Sequence, residues 1–224
     1  MTSPKSSVSL GFMSVHDDSK NDSRICILRA ATKLFARLGL DKCSTREIAK
    51  ESDSNISLIS YYFGGKEGLY KEVMRHYALQ IKNSVDQIFS YSEQNPMTRE
   101  HFVQEIEKMV DSMIELRLGN PEMSMIFSRE KLTGMPFSKD VHEEIFYPLI
   151  QKFYEIFELG QKNGFVRDDI NPAFFFVTLS EGVWGFFELI ECQTMINQDC
   201  ANLLHDRTEI KNQILSIYLT GVLK

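Results

Sequence analysis

The segment TREIAKESDSNISLISYYFGGKEGLYKEV, residues 45–73, is rich in short hydrogen-bonding side chains and tyrosines and carries no evident catalytic group. Ser, Asn and Tyr side chains donate and accept hydrogen bonds, and lysine adds a positive point charge. That chemistry suits recognition of another molecule rather than bond making. Residues 64–66 (Gly-Gly-Lys) superficially resemble a phosphate-binding loop. A P-loop, however, needs glycine where Ser60 stands and Ser or Thr where Glu67 stands.

Sequence patterns of known enzyme sites are absent from the chain. It contains no G-x-S-x-G, H-E-x-x-H or dinucleotide-binding fingerprint, and its five histidines are far apart. His101 and Glu105 share a helix face, but a solvated pair is a far commoner reason for that spacing than a metal site. We therefore expect a protein that is not an enzyme and that needs no cofactor or metal.

Short helices are predicted around the polar segment. Apolar residues in the 27–38 stretch recur at the helical period, and Gly39 is placed to end that helix. Ser44 and Glu47 have the spacing of a capping box, which predicts that a short second helix begins at Thr45. A third helix is expected after a break in the chain that follows the second.

The break at residues 53–55 and the third helix, which should end at Gly64-Gly65, complete a recognisable unit. Two short helices joined by a three-residue turn and braced by a longer helix form a helix-turn-helix. The second helix of that motif lies in the major groove of DNA, where base edges offer donors, acceptors and thymine methyl groups. The amides at the start of the preceding helix, near Ser44 and Thr45, suit a phosphate.

At these residues the chain resembles the DNA-binding domain of the TetR family of bacterial transcriptional regulators. The resemblance rests on ILRAATKLFARLG, on STREIAKESDSNISLISYYFGGKEGLYKEV and on their spacing, and it covers about residues 24–76. It implies phosphate contacts from one group of side chains and base contacts from another. The phosphate group comprises Thr45, Tyr61, Tyr62 and Lys66, and the group at or near base edges comprises Asn55, Ile56, Ser57, Leu58 and Ser60.

Two positions depart from the family pattern. Family members commonly have glycine at the position of Asp53 and an aliphatic residue at the position of Ser54. We expect Asp53 to adopt a left-handed conformation, which aspartate tolerates better than most residues. We expect Ser54 to weaken the small core of the motif.

Charge is distributed unevenly along the chain. The 224 residues have a formal net charge of −6, but residues 24–76 have a net charge of +4 and residues 77–224 one of −9. A basic N-terminal module on an acidic body is expected where only one end meets a polyanion. We predict a serine-rich disordered arm over residues 1–22, a DNA-binding domain over 23–76 and a helical effector-binding and dimerisation domain over 77–224.

Cysteine usage and hydropathy favour a cytoplasmic protein without a membrane partner. The cysteines form no C-x-x-C pair, which argues against a disulfide framework or a zinc site. They are Cys26, Cys43, Cys192 and Cys200, and the first two are interpreted as packing or surface residues rather than redox sensors. No apolar run reaches the roughly 18 residues of a membrane-spanning helix, and the 8–15 stretch is too interrupted for a signal peptide.

The remainder of the chain is also predicted to be helical, so the fold class is all-α with nine helices. The helix after the glycine pair should run for about 25 residues from the DNA-binding domain into the body, where it can act as a lever. Further helices are predicted at 99–118, 121–131, 138–162, 172–196 and 206–223, with Pro148 as a kink in the third of these.

The 172–196 helix is apolar around nearly its whole circumference. Such a helix must be buried on all sides, either at the centre of a bundle or against a partner subunit. Gly182 and Gly185 permit another helix to approach closely. The resemblance implies that this helix and the last one pair with their twofold copies as a four-helix interface in a homodimer.

Large, adaptable side chains predict a ligand pocket in the body. The candidate lining residues are Met109, Met113, Met123, Met125, Phe127, Phe153, Phe157, Trp184 and Phe187, although for any one of them a place in the core is commoner. Glu181, Trp184 and Glu188 share a helix face, where a carboxylate beside an aromatic ring would receive a cationic aromatic ligand. A solvated or dimer-rim pair of glutamates is the commoner arrangement.

These features predict a ligand-responsive DNA-binding regulator. By family default it is a repressor that binds a palindromic operator as a homodimer and is released by a small, largely apolar or aromatic effector. Two alternatives stay open. One is an all-helical ligand-binding protein or enzyme without sequence-specific DNA binding, and the other is an architectural DNA-binding protein without an effector.

Overall fold

The computed structural model describes residues 15–88, 97–191 and 206–224. Within these ranges the chain is helical apart from its loops and one isolated antiparallel bridge between Val166 and Leu223. The all-α class predicted from the sequence is therefore confirmed. The chain divides into two compact units between Glu72 and Val73, rather than after residue 76.

Unit 1 is built from three helices and the first turns of a fourth. They are α1 (Val15–Lys42), α2 (Thr45–Glu51), α3 (Ile56–Phe63) and α4 (Lys66–Ile88), of which α4 continues into unit 2. Because α1 begins at Val15, the arm predicted to be disordered over residues 1–22 is helical from residue 15 onward. The rest of that arm, residues 1–14, lies outside the described residues.

Gly39 interrupts α1 as the sequence predicts, although helical residues continue beyond it to Lys42. Its backbone angles are φ 77° and ψ 169°, a region that is accessible almost only to glycine. Helix α3 ends at Gly64, which adopts the left-handed conformation with φ 71° and donates its N–H to the Ser60 carbonyl. The two predicted glycine stops are both observed.

The core of unit 1 joins residues from all four helices. Fully buried side chains are supplied by Ile27, Phe35, Ile48, Ile59 and Leu69. The ring of Tyr70 meets that of Phe35 edge-on, with centroids 5.0 Å apart. The apolar stripe of α1 thus supports the short helices that could not bury a core by themselves.

Gly68 is the closest contact between α4 and the end of α3. A Cβ atom built on Gly68 would lie 1.8 Å from the carbonyl oxygen of Phe63 and 3.0 Å from its carbonyl carbon. Both atoms belong to the backbone and cannot rotate away. Only glycine fits at this position, so the spacing between α3 and α4 depends on the missing side chain.

Unit 2 contains the rest of α4 and the helices that follow it. These are α5 (Arg99–Gly119), α6 (Pro121–Leu132), α7 (Lys139–Val141), a π-helical turn (His142–Phe146), α8 (Tyr147–Lys162), α9 (Pro172–Glu191) and α10 (Arg207–Val222). The predicted continuations of the fourth helix beyond 88 and of the 172–196 helix beyond 191 lie outside the described residues. Helix α10 begins after Asp206, whose carboxylate accepts from the Glu209 amide as an N-cap.

The predicted kink at Pro148 takes the form of the π-helical turn. Proline has no N–H and its ring crowds the carbonyl four residues before it, which is that of Glu144. One residue earlier, the Tyr147 amide donates to the carbonyl of His142, five residues back. The predicted 138–162 helix is therefore two helices joined by this wider turn.

The core of unit 2 is aromatic and lies where α5, α8, α9 and α10 pack together. Phe153 stacks on Phe175 with centroids 6.0 Å apart, and Phe157 lies 4.9 Å from Phe175. One face of α9 is buried here through Phe175, Leu179, Val183, Phe187 and Ile190. These contacts position the helices that enclose the cavity described below.

The opposite face of α9 is open, which corrects the prediction that this helix is buried on all sides within one chain. Phe174 is 69% exposed, and Val177 and Leu189 are also exposed. By length and composition alone, the 172–190 stretch is apolar enough to cross a membrane, with a mean hydropathy of 1.4. Its buried face lies in the core of unit 2, as expected of a core helix.

We predict that Gly68→Ala destabilises unit 1 by about 3 kcal/mol or more, because the new methyl group must push α4 away from α3. Amide hydrogen exchange in α3 should accelerate strongly. The control is Gly119→Ala at the exposed end of α5, where an added Cβ meets no atom within 4 Å. This control should unfold like the wild type, and protection of α3 in the Gly68 variant would contradict the steric reading.

Candidate nucleic-acid interface and ligand cavity

Helix α2 begins with the predicted capping box. The Ser44 hydroxyl accepts from the Glu47 amide at 3.2 Å, and the Glu47 carboxylate accepts from the Ser44 amide at 2.9 Å. Hydrogen bonds from the Ser44 hydroxyl and amide hold the pKa of Glu47 below its ordinary value. This turn therefore starts with an ionised carboxylate, which leaves the Thr45 and Arg46 amides as the donors that an incoming anion would meet.

The turn between α2 and α3 has the conformation expected from its residues. Asp53 has φ 48°, so aspartate takes the left-handed position where relatives commonly have glycine. Ser54 is half-buried, and its hydroxyl donates to the Ser52 carbonyl at 3.1 Å. Asn55 caps α3, since its side-chain oxygen accepts from the amide and the hydroxyl of Ser57 at 2.9 and 2.8 Å.

The outer face of α3 carries most of the side chains predicted to read DNA. Ile56, Ser57, Ser60 and Tyr61 are exposed, and Tyr61 is 72% exposed. Leu58 and Tyr62 are half-buried, and the rings of Tyr61 and Tyr62 meet edge-on with centroids 5.0 Å apart. The structure brings these residues onto one short helix whose inner face is anchored by Ile59 and Phe63.

Lys66 differs from its predicted role. Its ammonium donates to the carbonyls of Leu40 at 2.8 Å, Cys43 at 3.0 Å and Asp41 at 3.4 Å. These three acceptors match its three N–H donors, and two of them belong to the last turn of α1, where the helix dipole favours a cation. Lys66 therefore clamps the start of α4 to the end of α1 instead of facing a phosphate.

Exposed cations near the start of α2 were missed by the sequence analysis. Lys42 closes α1, Arg46 lies in the first turn of α2 and Lys50 lies in its last turn, and all three are exposed. The available signal was the charge of these residues and their closeness in sequence to Ser44. They supply positive charge at the place where Lys66 was expected to provide it.

The cysteines of unit 1 fit the packing and surface roles predicted for them. Cys26 is exposed and Cys43 is buried, and both are free thiols. Burial raises the pKa of the Cys43 thiol, and the Glu47 carboxylate adds to this effect while Lys66 and Arg37 partly oppose it. A raised pKa disfavours the reactive thiolate. The other two cysteines, Cys192 and Cys200, lie outside the described residues.

Unit 2 encloses a cavity of about 320 Å³. Six of the residues predicted to line a pocket do so: Met109, Met113, Phe127, Phe153, Glu181 and Trp184. The π-helical turn and the residues after it contribute His142, Phe146, Leu149 and Ile150, and α4 contributes Tyr77 and Ile81. The cavity is therefore apolar over most of its wall, as small-molecule sites usually are.

Five predicted pocket residues do not line this cavity. Phe157, Phe187 and Met123 are buried in the packing of unit 2, so they belong to the core. Met125 is exposed and lies away from the cavity. Helical spacing places a residue on a face of its helix but leaves open which neighbour covers that face, and this is why core and pocket residues were confused.

Glu188 is the fifth, and it and Glu181 have other partners than a cationic ligand. Glu181 lines the cavity, but both of its carboxylate oxygens accept from the Lys131 ammonium at 2.8 Å. Glu188 accepts a hydrogen bond from Ser128, so both glutamates connect α9 to α6. Because the charge of Glu181 is already matched, the proposed recognition of a cationic aromatic molecule is not supported by this arrangement.

We predict that Lys66→Met destabilises unit 1 by about 1–2 kcal/mol, because the three carbonyls lose a charged donor. Methionine keeps most of the aliphatic stem, so the loss reports on the ammonium. Urea-induced unfolding followed by circular dichroism measures it. The control is Lys71→Met on the next turn of α4, where the lysine is exposed. Equal stabilities of the two variants would rule out the clamp.

Comparison with known proteins supports this reading of unit 1. Residues 27–73 match the family model of bacterial regulatory proteins, tetR family. The transcriptional regulator BetI of Vibrio atlanticus is 37% identical over 59 residues, which is 26% of this chain and 30% of BetI. The transcriptional repressor NicS of Pseudomonas putida is 27% identical over 146 residues, 64% of this chain and 66% of NicS. The chain thus spans less than a third of BetI, and the relatives named are regulators rather than enzymes.

A solved structure extends the likeness of the fold to nearly the whole chain. A TetR-family regulator of Shewanella superposes with a TM-score of 0.68, covering 90% of this chain and 98% of that one at 14% sequence identity. At that identity the match concerns the fold alone. The matched segment, the named regulators and the shared fold identify this chain as a member of the tetR family of bacterial regulatory proteins.

Proposed function

We propose that this protein is a cytoplasmic, ligand-responsive repressor of transcription that binds a palindromic DNA operator as a homodimer. The observation that carries the proposal is the exposed face of α3, where short polar side chains and tyrosines lie on a helix held by a cap and a left-handed turn. A helix of this kind fits the major groove and reads base edges. The net charge of +4 over residues 24–76 favours a polyanion at this end of the chain.

Phosphate contacts are proposed for residues on both sides of α3. The amides and side chains at Ser44, Thr45 and Arg46 receive one phosphate at the start of α2, where the dipole favours an anion. The hydroxyls of Tyr61 and Tyr62 receive another. Lys66 is left out of this set because its ammonium is bound by three carbonyls.

Base contacts are proposed for the N-terminal half of α3 and its neighbours. Ile56, Ser57 and Ser60 are exposed and short enough for close approach to the groove. Leu58 is half-buried and contributes an apolar contact. The Asn55 oxygen already caps the helix, so any base contact from Asn55 comes through its amide nitrogen.

The homodimer is proposed to form through α9 and α10. Both helices have a face in the core of unit 2 and exposed apolar residues elsewhere, with Phe174 69% and Ile217 68% exposed. Burial of such residues against a twofold copy would remove apolar surface from water, and twofold symmetry matches a palindromic site. Repression and release by an effector rest on the family and on the cavity of unit 2. The relative NicS is named a repressor.

Selection of bound sequences from random DNA tests the proposal, and a palindromic motif is the expected result. We predict that Ser57→Arg changes the preferred bases, because a mismatched base contact costs about 1–3 kcal/mol and arginine favours guanine. The control is Asp41→Asn, which adds the same charge to unit 1 away from α3. The control should keep the wild-type motif, and an unchanged motif for Ser57→Arg would remove Ser57 from the base-reading set.

We predict that Ile217→Glu weakens the dimer strongly, because a charge would be buried at the apolar interface. Analytical ultracentrifugation over a range of concentrations measures the effect. Truncation of α10 is a poorer test, since its Ile210, Leu215 and Leu219 belong to the core of unit 2. The control is Leu132→Glu at the end of α6, where the leucine is 88% exposed. Equal dimer affinities for the two variants would place the interface elsewhere.

A further inference from the structure

The cavity of unit 2 has a volume at the lower end of the range of about 300–1,000 Å³ that is typical of small-molecule sites. Its wall is built from methionine, phenylalanine, leucine, isoleucine and valine side chains, together with the chain's single tryptophan, Trp184. Such a wall binds a compact apolar or aromatic body. The few polar groups among the lining residues then decide which molecules of that size are accepted.

The charged lining residues neutralise each other. Lys131 and Glu181 are the only lysine, arginine, aspartate or glutamate side chains among the lining residues that the structure describes, and they form a two-oxygen ion pair at 2.8 Å. Their side chains are partly exposed, so the pair is solvated. A charged ligand would have to break this pair or enter without a counter-ion, and either event is costly.

Two polar atoms of lining residues have no such match. Tyr77 Oη and His142 Nδ1 are buried, and neither has a hydrogen-bond partner among the described residues. Burial raises the pKa of Tyr77, which the Ser124 hydroxyl and Arg117 partly oppose. The Ser124 hydroxyl donates to the Asn120 carbonyl instead, and its contact with Tyr77 does not reach hydrogen-bond geometry. Buried polar atoms without partners are uncommon and costly, and a ligand or water would satisfy them.

The π-helical turn explains how His142 comes to line the cavity. His142 and Phe146 stand one turn apart with ring centroids 6.0 Å apart, and both line the cavity. The wider turn is caused by Pro148, as described above. Turns of this kind occur often at functional sites because they redirect side chains.

We propose that the effector is a neutral molecule with a compact apolar or aromatic body and a hydroxyl or carbonyl oxygen that hydrogen-bonds Tyr77 and His142. This inference deepens the effector part of the proposed function and rests on it. A hydroxyl suits both partners, because it accepts from the tyrosine O–H and donates to an unprotonated imidazole nitrogen. A carbonyl accepts from both when the imidazole carries its proton on Nδ1.

Three probes of one shape test the inference on the full-length wild-type protein. They are cyclohexylbenzene, 4-cyclohexylphenol and 4-cyclohexylbenzoate, which differ only in having no polar group, a neutral hydroxyl or a carboxylate. Because Trp184 is the only tryptophan and lines the cavity, its fluorescence reports occupancy. Isothermal calorimetry gives the affinities. The phenol should bind about three- to tenfold more tightly than the hydrocarbon and at least tenfold more tightly than the carboxylate.

Variants assign the gain to the two residues. Tyr77→Phe and His142→Phe should each lower the affinity for the phenol about three- to tenfold and leave that for the hydrocarbon unchanged or improved. The matched control is Tyr147→Phe, which removes a hydroxyl from an exposed tyrosine outside the cavity wall. It should bind all three probes like the wild type.

Several results would overturn the inference. Equal affinities for the phenol and the hydrocarbon would mean that water, rather than a ligand, satisfies the two polar atoms. Tightest binding of the carboxylate would show that the ion pair opens to an anion, and no response to any probe would show that the cavity excludes this class. DNA binding is measured separately without probe. Its loss would overturn the proposed function but leave the binding result standing.

Discussion

The close approach of α4 to the carbonyl of Phe63 leaves room only for a hydrogen atom at residue 68, and the geometry of unit 1 depends on this steric limit. It sets the distance between α4 and α3. Lys66, two residues earlier, then binds the end of α1 through three carbonyls. Together these contacts hold the first turn of α4 against two helices, so that α3 presents its outer face from a fixed base.

Local features of unit 1 were predictable from the sequence because their causes are local. The capping box at Ser44, the left-handed Asp53 and the stop at Gly64 each depend on residues within a few positions. Lys66 and Gly68 were not predictable in this way, because their partners are set by how α4 packs on other helices. A lysine after two glycines looks like a phosphate ligand until the carbonyls of α1 are seen beside it.

The same limit applies to unit 2. Apolar periodicity predicted the helices and the large apolar residues of α9, but it could not separate core from cavity. Phe153 lines the cavity and Phe157, one turn later on α8, does not. Likewise, His142 gave no sequence signal, because its place in the wall depends on the π-helical turn that Pro148 causes downstream. The apolar surface of α9 reflects two separate demands, a core face and an open face.

Effector binding can influence α4 only through contacts that are worth enough free energy. The Arg75–Glu144 ion pair joins α4 to the π-helical turn at 2.8 Å, but both side chains are substantially exposed. Such pairs contribute little, about 0–1 kcal/mol, and are screened by salt. Ala78 of α4 instead packs against Val141 and Ile145, and all three are buried. Because His142 and Phe146 of the same turn line the cavity, a ligand that moves them must also shift this packed cluster. In unit 2, packing rather than charge therefore connects the cavity to α4.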